Sequence, residues 1–331
     1  MKTRSLSAHG PTTSALGLGL MGMSDLYGPS DREESLATIH AALDAGVTLL
    51  DTGDFYAMGH NELLLREALA GRDRDSVQIS VKFGALRDPA GNWIGVDGRP
   101  AAVKNALAYT LQRLGTDRVD VYRIARLDPA VPIEDTVGAI AEMIEAGFVR
   151  HVGLSEVGAD TLRRAHAVSP VADLQIEYSL ISRGIEASIL GTAEELGVGI
   201  TAYGVLSRGL LSGHWTRERS AGVRDFRAIL PRFQEGRVEQ NLALVERLRE
   251  IASAKGATVA QIAIAWVLGR GERIVPLVGA RRRDRLEESL GALQIELTAS
   301  DLAAIEEAVP NGEVAGERYP GDQMAMLDSE R

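Results

Sequence analysis

Short apolar runs alternate with amphipathic stretches from one end of the chain to the other. The apolar runs predict strands over 15–18, 48–50, 78–81, 119–124, 151–154, 173–176, 199–202 and 274–278. Between and after them, apolar residues recurring every three or four positions predict helices. These cover 32–45, 62–70, 101–114, 133–146, 159–168, 187–196, 239–255, 259–268 and 283–293. In the first helix, Leu36, Ile39, Ala42 and Leu43 share one face, and Gly46 suits its C-terminal end.

A strand–helix unit repeated eight times implies parallel strands joined by helical crossovers. Two α/β architectures fit such a repeat: a closed (β/α)8 TIM barrel and a doubly wound open sheet. The count of eight and the even spacing favour the barrel, as one domain over 1–331 with extra helices. No G-x-G-x-x-G follows the first run, and "GLGLMGMSD" leads into a loop rather than a helix. Long loops follow the third strand (83–100) and the seventh (203–236). Barrel sites lie at the C-terminal ends of the strands, so these loops are expected to carry function. The tail over 311–331 is expected to pack over the body, capping a loop or a subunit contact.

Composition narrows the function. The 331 residues are 45% hydrophobic, ample for a large core, but only 5% aromatic, so Ala, Leu, Val and Ile must fill it. A formal net charge of -10 argues against broad binding to nucleic acid, which needs clustered cations. With no cysteine, disulfides, thiolate metal sites and a Cys nucleophile are excluded. The N-terminus has no signal-like apolar run, and no segment approaches the ~20 apolar residues of a membrane span. A cytoplasmic location without membrane partners is the expectation. His9, His40, His60, His151, His166 and His214 are scattered, and no metal site is expected.

Chemistry gathers at the strand ends. The second strand runs into Asp51, with Tyr56 five residues on in "DTGDFY", and the third runs into Lys82. A tyrosine has a pKa near ~10, too high for easy proton donation at neutral pH. A neighbouring ammonium favours the phenolate, and an aspartate holds the ammonium charged and oriented. Tyr56 is thus expected to be a general acid or base, with Lys82 its tuner and Asp51 the anchor.

"GLGLMGMSDLYG", "DTGDFYAMGHNE", "SVKFG", "RLGTDRVDVY", "GFVRHVGLSEVG", "LQIEYSL", "AYGVLSRGLLSG" and "VGARRRDRLEESLGAL" stand in one order and spacing. In them the chain resembles the aldo-keto reductases along nearly its whole length. The "MGMSDLYG" start and "AGERYP" tail are similar to a bacterial branch of that family. The resemblance implies a (β/α)8 barrel, NADPH or NADP+ as cofactor, and reversible reduction of small carbonyl compounds to alcohols. It leaves self-association open.

By the same resemblance, Asp51, Tyr56 and Lys82 match three members of a catalytic tetrad. Ser155 and Gln175 match residues that bind the nicotinamide carboxamide, and Tyr203 the aromatic that stacks on its ring. Met21 and the run Gly204, Leu206, Arg208 and Gly209 resemble loops over the cofactor. Gly279, Arg281 and Arg285 resemble the segment that binds the adenosine 2'-phosphate, and Glu288 with Ser289 the adenine contacts. Two arginines also suit a phosphate directly, through paired hydrogen bonds. Met23, Phe83, Trp93 and Trp215 are candidates for the substrate pocket, with Arg123 and Ala125.

Three positions depart from the pattern. The fourth tetrad position, normally histidine, is Ala125 in "VYRIARLDP". Glu156 stands where many relatives carry an amide, so it is expected to turn away or take another partner. Ala280 stands where a hydroxyl often meets the 2'-phosphate. Strand alternation places Arg123 on the same face as Ala125, and Tyr122, Ile124 and Arg126 toward the helices or the loop edge. Arg123 then has two readings. It extends into the room above Ala125, paired to Glu156, Glu177 or Asp51, or it forms a structural ion pair below. Loss of one orienting donor costs ~10²–10³ in turnover, so atypical or reduced activity is expected. The alternatives are a cofactor-binding sensor on a decayed site and a Schiff-base lyase or isomerase using Lys82.

Overall fold

The computed structural model describes residues 1–331 apart from His9 and Asp25. Eight parallel strands close into a barrel. They are β1 (Gly17–Gly19), β2 (Leu49–Gly53), β3 (Gln78–Phe83), β4 (Val119–Ile124), β5 (Val149–Ser155), β6 (Val171–Glu177), β7 (Gly199–Tyr203) and β8 (Ile274–Gly279). Each pairs in parallel with the next in sequence, and β8 closes on β1. All eight expected strands are present. Most run one to three residues further than the apolar runs, because they continue into polar site residues such as Asp51, Lys82 and Ser155.

The expected helices surround the barrel with small shifts at their ends. Three further helices are Arg217–Ala221, Ala299–Ala308 and Gly321–Met324. The second carries a start signal: Thr298 accepts from the Asp301 N–H, while Asp301 accepts from the Thr298 N–H. Two antiparallel hairpins also went unpredicted. Thr3–Ser5 pairs with Thr12–Ser14 ahead of the barrel, and Leu6 packs there on Leu49 and Val275, which open β2 and β8. Ala85–Arg87 pairs with Trp93–Val96 inside the loop after β3, which is therefore an ordered ribbon.

The barrel wall is almost wholly buried, as parallel strands covered by helices must be. Leu, Ile, Val and Ala dominate the core, with Trp266, Tyr122, Tyr178 and Phe83 as its largest enclosed rings. Met23 and Phe83, expected at a substrate pocket, belong to this core; Phe83 stacks on Tyr122 with centroids 4.2 Å apart. Trp215 is buried against Phe233. Each ring or thioether gains more by packing than by facing a loop. Among the described residues no single helix is long and apolar enough to cross a membrane.

Candidate active site

Strand register gathers the polar residues at one end of the barrel. Asp51 stands beside Ser80, Gly53 beside Lys82, and Lys82 beside Arg123. Ser155 lies beside Gln175, and Glu177 beside Tyr203. Among the described residues, every non-glycine residue with positive φ lies in a loop leaving this end: Leu26, Ala57, Met58, Glu156, Ser207 and Arg208. Such backbone strain persists only where surrounding contacts enforce it, and it clusters at functional sites.

Asp51 is the hub of the first cluster. Its carboxylate is 2% exposed, takes the Lys82 ammonium, and accepts from Ser80 Oγ at 2.8 Å and Gln175 Nε2 at 2.8 Å. Lys82 Nζ lies 5.2 Å from the centre of the Tyr56 ring. Tyr56 opens the short turn Tyr56–Gly59, in which Ala57 and Met58 adopt φ of 45° and 52°. Asp51, Tyr56 and Lys82 thus meet as expected.

The electrostatics correct part of the expectation. Burial, followed by the Asp51 carboxylate, pushes the Tyr56 phenol well above its ordinary value. The first cation to oppose this is Arg126 rather than Lys82. Burial also pulls Lys82 down to about 8, against the Asp51 charge that raises it. Lys82 is bound to Asp51, and the Arg126 charge also reaches the Tyr56 phenol.

Arg123 does not reach the space beside Ala125. It is fully enclosed, donates from Nη2 to Ser80 Oγ at 2.8 Å, and brings Nη1 within 3.0 Å of Asp173 Oδ2. The expected partners Glu156, Glu177 and Asp51 are otherwise engaged, so Arg123 is the structural ion pair beneath the cluster. Arg126 lies at the loop edge, just past the strand. The strand ends at Ile124, so alternation no longer fixes its side chain. Its Nη1 folds back to donate to the Ala125 carbonyl at 2.6 Å.

A second cluster was not foreseen. Arg318, from the C-terminal tail, grips Glu156 with both ends of its guanidinium at 2.8 and 2.6 Å. Ser329 Oγ donates to Glu156 at 2.7 Å, and Tyr203 Oη to the same carboxylate at 2.7 Å. Tyr319 Oη lies 3.0 Å from Tyr203 Oη, and Glu330 holds Arg318 from the outside at 2.6 Å. Beside them, Glu177 takes Arg208 at 2.9 Å, with Arg232 at 3.6 Å and Arg318 at 3.5 Å. Burial alone would raise both acids, but these guanidiniums outweigh it and hold Glu156 and Glu177 at about 2. The tail therefore does pack over the body, at the barrel mouth itself. Glu156 takes another partner as expected. Arg208, read as a cofactor contact, is committed to Glu177 and to the Tyr319 ring 4.6 Å away.

A third cluster lies beyond β8. Arg281 donates to the carbonyls of Tyr27 at 2.9 Å and Pro29 at 3.2 Å. Arg285 donates to Glu288 at 3.0 Å and meets His214. Arg219 and Arg227, from the loop after β7, stack on Trp215 at 4.6 and 4.8 Å. Trp215 is thus a platform for two cations. Partial burial, then Arg227, Arg281 and Arg285, lower the Arg219 pKa. Mutually repelling guanidiniums in one place are a donor set that a phosphate ester would neutralise.

Of the remaining candidates, most lie in loops at the mouth and Ser289 lies within the helix after β8. Met21 opens the turn after β1, and Gly279 ends β8. Gly204, Leu206 and Gly209 belong to the strained loop after β7, where Gly204 has φ of 67°. Ser289 Oγ donates to the Arg285 carbonyl at 2.9 Å. Trp93 lies apart, on the hairpin after β3, where the Arg87 guanidinium is 5.8 Å from its ring centre. Among the described residues no cluster of His, Cys, Asp or Glu could hold a metal; His9 lies outside them.

The sequence pattern of the aldo/keto reductase family matches residues 15–310. A protein named probable aldo-keto reductase 1, from Glycine max, is 39% identical over 315 residues, covering 95% of this chain and 90% of that protein. The structure of the glycerol dehydrogenase AKR11B4 from Gluconobacter oxydans superposes with a TM-score of 0.83 at 27% identity, over 92% of this chain and 94% of that one. The thermostable aldo-keto reductase Tm1743, solved with the inhibitor epalrestat, gives a TM-score of 0.75 at 27% identity, over 93% and 100% of the two chains.

Proposed function

This chain belongs to the aldo/keto reductase family, whose members carry out NAD(P)H-dependent carbonyl reduction, and from that premise we propose that it is an NADPH-dependent reductase of small aldehydes or ketones. One observation carries the reading: Tyr56, Lys82 and Asp51 are enclosed together at the barrel mouth, with the ammonium bound to Asp51 and 5.2 Å from the phenol ring. Residues 1–331 act as one catalytic domain. The "MGMSDLYG" and "AGERYP" segments support a reading among the bacterial members.

The phosphate end of the cofactor suits Arg219, Arg227, Arg281 and Arg285. The cluster favours NADPH over NADH, because the 2'-phosphate adds the charge it lacks. Gln175, Ser155 and Tyr203 line the place for the nicotinamide. When bound, the cofactor supplies the hydride. Tyr56 Oη gives its proton to the carbonyl oxygen as that oxygen gains charge. Lys82, held charged by Asp51, stabilises the phenolate left behind. In the reverse direction the same oxygen takes the alcohol proton.

The intact Asp51–Lys82–Tyr56 cluster supports catalysis over a sensor role. The ion pair with Asp51 supports Lys82 as a held cation below about pH 8 rather than as a Schiff-base nucleophile. Ala125, where the family's histidine is expected, supports slower turnover on simple aldehydes. The test is absorbance at 340 nm during NADPH oxidation with a panel of aromatic and aliphatic aldehydes. Turnover that Tyr56→Phe abolishes supports the reading; a protein that binds NADPH but reduces none of the panel sinks it.

A further inference from the structure

The mouth holds a guanidinium that nothing balances. Arg208, Arg227, Arg232 and Arg318 each have a carboxylate within 4 Å: Glu177, Asp225, Glu177 and Glu156. Among the described residues Arg126 has none, although it is partly enclosed. Its only hydrogen bond there is from Nη1 to the Ala125 carbonyl at 2.6 Å, which leaves Nε and Nη2 without a protein acceptor. Neither nitrogen is among the enclosed unpartnered atoms, so both can exchange water for a ligand's acceptor.

Its surroundings say where that something would be. Ala125 is 2% exposed and offers only a methyl group, so no side chain there competes for the space. The Ala125 N–H is fixed to the Phe83 carbonyl at 2.8 Å, on the strand that carries Lys82. The groups that feel the Arg126 charge are Tyr56, Lys82, Glu156, Tyr203, Tyr319 and Arg318. Tyr56 is the proton donor of the proposed reaction. Glu156, the one carboxylate among them, is already bound by Arg318, Tyr203 and Ser329.

We propose that Arg126 is the second hydrogen-bond donor to the substrate carbonyl oxygen, beside Tyr56 Oη, in the place where the family uses a histidine. The inference rests on the carbonyl-reductase reading. The reaction balances without a further reactant. Hydride forms the new C–H bond, the carbonyl π pair moves onto oxygen, and the Tyr56 proton forms the O–H bond. Arg126 keeps all its protons, because a guanidinium does not give them up near neutral pH. It lowers the barrier by holding charge where charge develops.

The experiment compares wild type, Arg126→Met, Arg126→Lys and the double variant Ala125→His/Arg126→Met, with NADPH binding followed by protein fluorescence. Arg126→Met should lower kcat/KM for aldehydes by about 10²–10³ while NADPH affinity stays within about twofold. Arg126→Lys should recover part of the loss, and the histidine of the double variant should recover more. No carboxylate is stranded by the change, so melting temperatures should stay close to wild type. An active, folded Arg126→Met enzyme with unchanged kcat/KM overturns the inference and leaves the reductase reading standing. So does a variant that loses only NADPH affinity. A wild-type protein that reduces nothing overturns both. Should Arg126→Met fail to fold, Arg126→Gln provides the same comparison.

Discussion

Arg318 and Glu156 lie 162 residues apart in sequence, yet form a two-pronged ion pair at 2.8 and 2.6 Å beside the catalytic mouth. The pair joins the tail to the loop after β5. Removing one member strands the other, a loss of about 3–5 kcal/mol for a buried pair. Arg318→Met should therefore melt well below wild type, whereas Glu156→Gln/Arg318→Met should regain much of the difference. Thermal denaturation of the three variants decides it. Equal losses in single and double variants would show that the pair is not what holds the tail.

Lys82 sets the upper end of the working pH. Burial pulls it to about 8, so the ammonium is present below that pH and is lost above it. Reduction, which needs the cation beside Tyr56, should fall as pH rises through about 8. The folded protein holds fewer protons than the unfolded chain between about 8 and the ordinary lysine value. Lys82 by itself therefore makes stability rise with pH across that window. Lys82→Met should cost about 10²–10⁴ in kcat, the range for losing a partner in general acid catalysis. A flat kcat profile from pH 7 to 10 would count against Lys82 as the titrating group.

Asp54, whose N–H donates to the Lys82 carbonyl at 2.9 Å, offers a stability test. Burial, then the Glu62 carboxylate, raise it to about 7, and its Oδ1 has no hydrogen-bond partner. From about pH 4 to 7 the folded protein keeps this proton while the unfolded chain gives it up. Stability therefore falls with rising pH in that window, and the cost persists above it. Asp54→Asn should stabilise at pH 8 by about 1–4 kcal/mol, the lower figure allowing for the surface the side chain keeps, and should do nothing near pH 3.5. Urea denaturation at the two pH values gives the answer; a destabilised variant at pH 8 contradicts it.

Arg285 should separate the two nicotinamide cofactors. Loss of a charge-assisted contact costs about 1.5–3 kcal/mol. Arg285→Ala should thus raise the NADPH KM about 10–150-fold while barely changing that for NADH. Equal effects on both cofactors would move this arginine away from the 2'-phosphate.

Arg123 and Asp173, both fully enclosed, should matter to stability and not to chemistry. Arg123→Met should lower the melting temperature sharply, and Arg123→Met/Asp173→Asn should restore part of it, with kcat unchanged in whatever remains folded. A loss of kcat in a stable variant would return Arg123 to the catalytic machinery.

The barrel was readable in the sequence because strands buried on both faces must be apolar throughout, and the helices between them keep their own period. The Asp51–Tyr56–Lys82 cluster was readable because each residue closes or follows such a strand. Arg126 was not. Alternation left it toward the helices or the loop edge, and the strand stops at Ile124, so the rule says nothing of where its side chain goes. Arg318 was not readable either: the tail has no periodicity, and no local signal names a partner on the far side of the chain. Met23 and Phe83 were ambiguous for a different reason. An apolar residue beside a loop motif looks the same in sequence whether it lines a pocket or fills the core.

The grip of Arg318 on Glu156 also bears on descent. A carboxylate at 156 without the arginine is a stranded charge, and the arginine without the carboxylate is another. Neither change is easily inherited alone. Across related chains the two positions should vary as one character, with acid and arginine appearing together and an amide at 156 accompanied by an uncharged residue at 318. The tail and the loop after β5 would then share a single history, though the length of the barrel's last three strands separates them.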